Sequence, residues 1–158
     1  MKITFRDAEL SDSNLIMTFI RELAIYEKLE HEVVAQVEDI QESLFGDNPK
    51  AFCIIAESDG KPCGFCLCFY NYSTFLGKAG IYIEDLFVLP EYRGNGAGRG
   101  FFKYLATKAQ KENCGRVQWS VLNWNEPSIN FYKAMGASPL DDWTVYRLEG
   151  ENLKKLAA

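Results

Sequence analysis

The chain has 158 residues, 47% hydrophobic and 14% aromatic, so it can bury a core without metal or disulfide staples and is no disordered chain. Its formal net charge of −5 at pH 7 argues against a nucleic-acid binder, which needs clustered Lys and Arg, and suits a small cationic ligand. No apolar run approaches the ~20 residues of a membrane span, and Met1-Lys2-Ile3-Thr4 leads straight into a strand pattern. The expectation is one soluble, cytoplasmic domain covering 1–158, with no membrane partner.

In chain order, Ile3–Arg6 reads as a short first strand. Ser11 or Ser13 can cap a helix whose Leu15, Ile16, Phe19, Ile20 and Leu23 form one stripe, ending near Tyr26. The acidic stretch Tyr26–Glu32 follows, then a helix over Val37–Phe45 that Gly46-Asp47-Asn48-Pro49 stops. Two strand runs, Ala51–Glu57 and Gly64–Tyr72, flank Ser58-Asp59-Gly60-Lys61, and Asp-Gly between apolar runs signals a hairpin. Cys66 and Cys68 share a strand face in that second run. Cys63-x-x-Cys66 has no second such pair, and the chain has one histidine, His31. The five cysteines therefore read as core thiols, and no metal is expected.

A strand over Gly80–Val88 leads into Arg93-Gly94-Asn95-Gly96-Ala97-Gly98 and a helix over Phe101–Gln110. Then come a strand at Arg116–Val121, a helix over Asn125–Met135 and a last strand around Trp143–Leu148. The order β, α, α, three antiparallel strands, α, β, α, β predicts an α/β domain: a mixed, largely antiparallel sheet flanked by helices.

A strand, a glycine turn and a helix N-terminus make an anion site, because backbone N–H groups approach closely and the helix dipole favours negative charge. Gly98 is followed by Arg99 and Gly100, so the loop lacks the Gly-Lys-Ser/Thr ending of a nucleoside-triphosphate loop. The place of the third glycine of a dinucleotide fingerprint is Arg99. What stands here is Arg-x-x-Gly-x-Gly, preceded by Glu84-Asp85-Leu86-Phe87-Val88 and followed downstream by Trp124-Asn125-Glu126-Pro127-Ser128-Ile129-Asn130-Phe131-Tyr132.

Together these phrases resemble the GNAT family of N-acetyltransferases and its acyl-CoA fold. The resemblance implies acetyl-CoA as cosubstrate. Arg93, Gly94, Asn95, Gly96, Ala97, Gly98 and Arg99 would hold its pyrophosphate, and the backbone of Leu86, Phe87 and Val88 would meet the pantetheine arm. Asn125 and Ser128 are further coenzyme contacts. Tyr132 takes the place of the family's general acid. Its phenol, of pKa about 10, can protonate a thiolate of about 8.5; the ordinary alternative is a core tyrosine. Glu84 is the candidate base, acting through water, since a carboxylate near pKa 4.3 is weak against an ammonium of about 10.4. By the strand's period of two, Asp85 is expected on the opposite face, bracing structure.

Arg21–Leu29, Phe45–Pro49, Tyr82–Asp85 and Trp124–Tyr132 are similar to the spermidine/spermine (diamine) and thialysine N-acetyltransferases. That likeness implies a primary amine of a small cation as substrate, with Tyr26, Glu27, Glu30 and Glu84 as amine contacts and Asp142 and Trp143 as additions from the last strand. It also implies a homodimer, to which Trp143, Val145 and Tyr146 would contribute. Ser73-Thr74-Phe75 departs from the polyamine pattern and looks more like the thialysine branch. Two other readings stand beside it: an acetyltransferase of protein N-termini, and a non-catalytic coenzyme-binding module.

Overall fold

The computed structural model describes residues 1–158. Its elements are β1 (Ile3–Asp7), α1 (Ser13–Tyr26), α2 (Val37–Phe45), β2 (Phe52–Ser58), β3 (Lys61–Ser73), β4 (Lys78–Val88), α3 (Ala97–Lys111), β5 (Val117–Trp119), α4 (Glu126–Ala134) and α5 (Gly150–Ala157). They fall into two compact units, Met1–Ser120 and Val121–Ala158. No helix is long and apolar enough to cross a membrane.

The first unit is one five-stranded sheet in the order β1-β2-β3-β4-β5, antiparallel except that β5 runs parallel to β4. The β2–β3 hairpin closes through Asp59 (φ 50°) and Gly60 (φ 82°), the left-handed pair that a two-residue turn requires. Each sheet face carries its own core. Ile54, Ala56, Cys66, Cys68, Ile81, Ile83 and Val88 pack with Phe101 and Leu105 of α3. Cys53, Ile55, Phe65, Leu67 and Phe87 pack with Phe19 and Leu23 of α1 and with Ile40 and Leu44 of α2. The thiols of Cys66 and Cys68 lie 3.6 Å apart in the first core, and all five cysteines are free.

Neither Ser11 nor Ser13 caps α1, contrary to expectation. Asp12 takes the N-cap position after a single 3-10 turn, and the Ser13 hydroxyl donates to the Leu10 carbonyl at 2.7 Å. The Asp12 carboxylate has a better set of donors: the Glu9 N–H at 2.7 Å and both arms of the Arg6 guanidinium at 2.8 and 3.0 Å. Those bonds hold its carboxyl below the usual range and moor α1 to β1. Helix α3 starts four residues earlier than predicted, at Ala97 inside the glycine loop.

The second unit departs further from expectation. No strand forms at Trp143–Leu148; the segment is irregular, with Trp143 78%, Val145 88% and Tyr146 93% exposed. A strand needs a neighbour for its backbone hydrogen bonds, and this unit contains no other strand. The helix α5 that follows was not predicted.

Gly100 tests the packing of α3 on β1. A Cβ there would lie 2.2 Å from the tip of the Phe5 ring, itself edge-on to Phe101 with centroids 5.0 Å apart. Helix propensity alone predicts that Gly100→Ala stabilises by about 1 kcal/mol. The packing predicts the opposite sign, a loss of about 1–3 kcal/mol in urea unfolding. A gain in stability would show that this contact is soft.

Candidate active site

The site is built on an irregularity in β4. Cys66 pairs with Leu86 and Leu67 with Asp85, but Cys68 pairs with Ile83, which leaves Glu84 as an extra residue without a partner on β3. Such a bulge inserts one residue and resets the alternation of faces. Before it, Ile81 and Ile83 face α3. After it, Leu86 and Val88 face α3 while Phe87 joins the α1 side. The single period expected across Ile81–Val88 is therefore broken at Glu84.

The bulge also coincides with an opening in the sheet. β5 pairs with β4 only at Ile81, Tyr82 and Ile83, and the Tyr82 hydroxyl shares a 2.7 Å hydrogen bond with Ser120 just beyond β5. From Glu84 to Val88 no strand pairs with that edge of β4. The predicted pantetheine contacts Leu86, Phe87 and Val88 lie on this stretch, where an extended ligand can add as a strand.

Asp85 sits on the α1 side, mostly buried, and accepts no hydrogen bond and joins no ion pair. It braces nothing, contrary to expectation. Burial first, then the charges of Glu84 and Glu27, push its carboxyl up to about 7. Glu27 caps the C-terminal end of α1, and burial raises its carboxyl as well. Its position is closed tightly. The Glu27 N–H donates to Leu23, Lys28 turns left-handed (φ 61°), and the Leu29 N–H returns to the Ala24 carbonyl at 2.8 Å. Glu84 and Glu27 thus lie close enough to Asp85 for their charges to reach its carboxyl. Glu30 lies apart, exposed on the 3-10 turn Glu30–Glu32.

After β4 the turn Pro90–Tyr92 leads to Arg93. Gly94 (φ 79°) and Gly96 (φ 84°) both adopt the left-handed region, and Gly96 is the N-cap of α3. A Cβ at either glycine would meet nothing within 4 Å, so they are required for conformation and leave open space above the loop. Asn95 closes the turn by donating its amide to the carbonyls of Tyr92 and Arg93. Ala97 is buried, and Arg99 is exposed on the first turn of α3. The first N–H groups of α3 have no partner within the helix, which is the arrangement that receives a phosphate.

Arg93 points elsewhere. Its Nε donates to the Val88 carbonyl at 2.8 Å, and its guanidinium carbon lies 5.2 Å from the ring centres of both Tyr26 and Phe87.

The second unit carries the remaining predicted residues. Asn125 is the buried N-cap of α4, Pro127 and Ser128 lie in its first turn, and Tyr132 stands near its end beside Phe131. Gly136 (φ 91°) ends the helix: its N–H donates to Lys133, and the N–H of Ala137 reaches back to the Tyr132 carbonyl at 3.1 Å. Tyr132 is thereby fixed in the last turn. Asp142 and Trp143 lie exposed in the irregular segment, not on a strand.

The family model described as "Acetyltransferase (GNAT) family" matches residues 17–137, spanning both units. A thialysine N-epsilon-acetyltransferase of Mus musculus is 38% identical over 163 residues, covering 96% of this chain and 95% of that protein. A spermidine/spermine N(1)-acetyltransferase-like protein 1 of Homo sapiens is 33% identical over 96% of this chain, which matches only 23% of its length. Among solved structures, an integron cassette protein from the mobile metagenome of V. cholerae superposes with a TM-score of 0.81. It is 30% identical, with 99% of this chain and 98% of that one covered.

The buried Asp85 gives a pH test. Its carboxyl rises from an ordinary 3.8 to about 7 on folding, so the folded state keeps the proton longer than the unfolded one. Stability then falls as pH rises from about 4 to about 7 and is level above that. Asp85→Asn removes this cost, so its melting temperature should exceed the parent's most above pH 7, by up to about 4 kcal/mol of stability, with the gap closing toward pH 4. A gap that does not change with pH would mean that Asp85 is solvated.

Proposed function

The chain belongs to the GNAT family of acetyltransferases, and on that premise we propose that it moves the acetyl group of acetyl-CoA to a primary amine of a small cation. The observation that carries the reading is the pair Glu84 and Asp85 at the β4 irregularity, one loop away from the glycine turn, with the Glu27 charge also reaching Asp85. A lysine-like amine, a diamine or a polyamine would meet negative charge there. The likeness to a thialysine acetyltransferase over nearly the full chain, together with Ser73-Thr74-Phe75, favours a short lysine-like or diamine substrate. We read 1–158 as a single domain that works in the cytoplasm.

The residues present suit the coenzyme. Gly94 and Gly96 leave the loop clear, the start of α3 supplies N–H donors for a pyrophosphate, and the edge from Leu86 to Val88 offers backbone groups to the pantetheine arm. Asn125 and Ser128 are the proposed further contacts. Acetyl-CoA, when bound, supplies an activated acyl group as a thioester. The chain supplies the rest by direct transfer, with no acyl-enzyme. Glu27 and Asp85 bind and orient the cation. Glu84, exposed at the bulge, takes the amine's proton through a water. A backbone N–H of Leu86–Val88 stabilises charge on the thioester oxygen. Tyr132 gives its phenolic proton to the departing thiolate. Tyr26, Glu30, Asp142 and Trp143 are proposed as outer contacts of the amine.

We propose in addition that the chain works as a homodimer. Trp143, Val145 and Tyr146 are large apolar residues left exposed within four positions, of the kind that marks a protein interface. Light scattering should report twice the 18.0 kDa chain mass, and a monomer at assay concentration would overturn this part of the reading.

The mechanism is tested at Tyr132. Tyr132→Phe keeps the ring and removes only the hydroxyl, so coenzyme release with the best amine should fall roughly 10²–10⁴-fold with acetyl-CoA affinity unchanged. Near-normal turnover, paired with a stability loss of about 0.5–1.5 kcal/mol, would mark a core tyrosine instead. Coenzyme binding by the parent chain without turnover on any amine would support a non-catalytic module.

A further inference from the structure

The sequence places Arg93 among the residues that hold pyrophosphate, because it begins the glycine loop. Its side chain does something different. The Nε proton is given to the Val88 carbonyl at 2.8 Å, and the guanidinium lies 5.2 Å from the Tyr26 and Phe87 ring centres. A planar cation attracted to two aromatic faces and fixed by a directional hydrogen bond has one preferred position. The group joins three parts of the fold: the last residue of α1, the end of β4, and the first residue of the loop.

We propose that Arg93 is a positioning residue for the amine side of the site, a strut that holds the end of α1 against β4, and not a phosphate ligand. Tyr26 is the last residue of α1 and Glu27 the next, so the ring that Arg93 holds sets where the Glu27 carboxylate stands. The turn beyond it depends on two backbone bonds, Glu27 N–H to Leu23 and Leu29 N–H to Ala24, around the left-handed Lys28. A non-glycine residue in that conformation is kept there by its surroundings. Arg93 holds the ring of Tyr26, two residues before Lys28. Lysine could keep the charge but has neither the plane nor the Nε donor, so the role requires arginine.

This inference rests on the proposed reading of Glu27 as an amine ligand, and the test separates the two. Arg93→Ala, Arg93→Lys and Phe87→Leu are assayed with two acetyl donors, acetyl-CoA and S-acetylpantetheine, which has no phosphate. The expected result for Arg93→Ala is about a tenfold rise in KM for the amine with either donor, with KM for acetyl-CoA within about threefold of the parent. Arg93→Lys should recover less than half of the loss, and Phe87→Leu combined with Arg93→Ala should cost less than the product of the two. Hydrogen exchange provides a readout independent of turnover: the Glu27 and Leu29 amides should exchange about tenfold faster in Arg93→Ala. A rise in KM for acetyl-CoA that is absent with S-acetylpantetheine would make Arg93 a phosphate ligand and overturn the proposal. Unchanged exchange at Glu27 and Leu29 would overturn it too, as would lower thermal stability with an unaltered KM for the amine. If the parent chain acetylates no amine, the proposed function fails on its own, and the exchange measurement still decides whether Arg93 is the strut.

Discussion

One extra residue in β4 organises the active region. With Glu84 unpaired, β4 changes the face that its even-numbered residues present. This lets Leu86 and Val88 continue the core begun by Ile81 and Ile83 while Asp85 and Phe87 turn toward α1. A regular strand would put Asp85 in the α3 core beside Ile81 and Ile83, where a carboxylate is prohibitively expensive to bury. The bulge places it instead next to Glu27. It occurs where β5 stops pairing, so the same stretch that loses regularity also gains a free edge.

Two opposite electrostatic tasks are thereby performed within fifteen residues of chain. In the proposed reading the carboxylates of Glu84 and Asp85, with Glu27, present negative charge to the amine. From Gly94 to Gly98 the backbone offers N–H groups and the positive end of α3 to another. Pro90–Tyr92 and Arg93 lie between the two in sequence. Burying Asp85 near Glu84 and Glu27 costs stability in the empty protein, since burial and then their charges raise the energy of its charged form. A cation bound among them would offset that cost, which is the basis of the proposed affinity for amines.

Most of the first unit was legible in the sequence because its signals are local. Asp59-Gly60 between apolar runs specifies the hairpin, Gly46 after Phe45 ends α2, and the two left-handed glycines of the loop appear as Gly94 and Gly96. The bulge was not legible: a strand with an inserted residue has the composition of one without it, and only the register against β3 reveals the difference. The place of Arg93 is not legible for a similar reason, since one of its partners, Tyr26, lies far from the loop motif in sequence. Propensity alone puts a serine at the helix cap, yet Asp12 has the Arg6 guanidinium to bind and takes the position. Trp143–Leu148 has the apolar content of a strand but no strand in its own unit to pair with.

If carboxylates at the β4 bulge select the cation whose amine accepts the acetyl group, cadaverine and n-pentylamine, which have the same chain length and differ by a second ammonium, should be separated in a kinetic assay. kcat/KM with acetyl-CoA should be higher for the diamine by at least about tenfold, the scale of one charged hydrogen bond, and Glu27→Gln should remove most of the difference. Equal kcat/KM for the two amines, or a preference that survives Glu27→Gln and Asp85→Asn together, would contradict that selection.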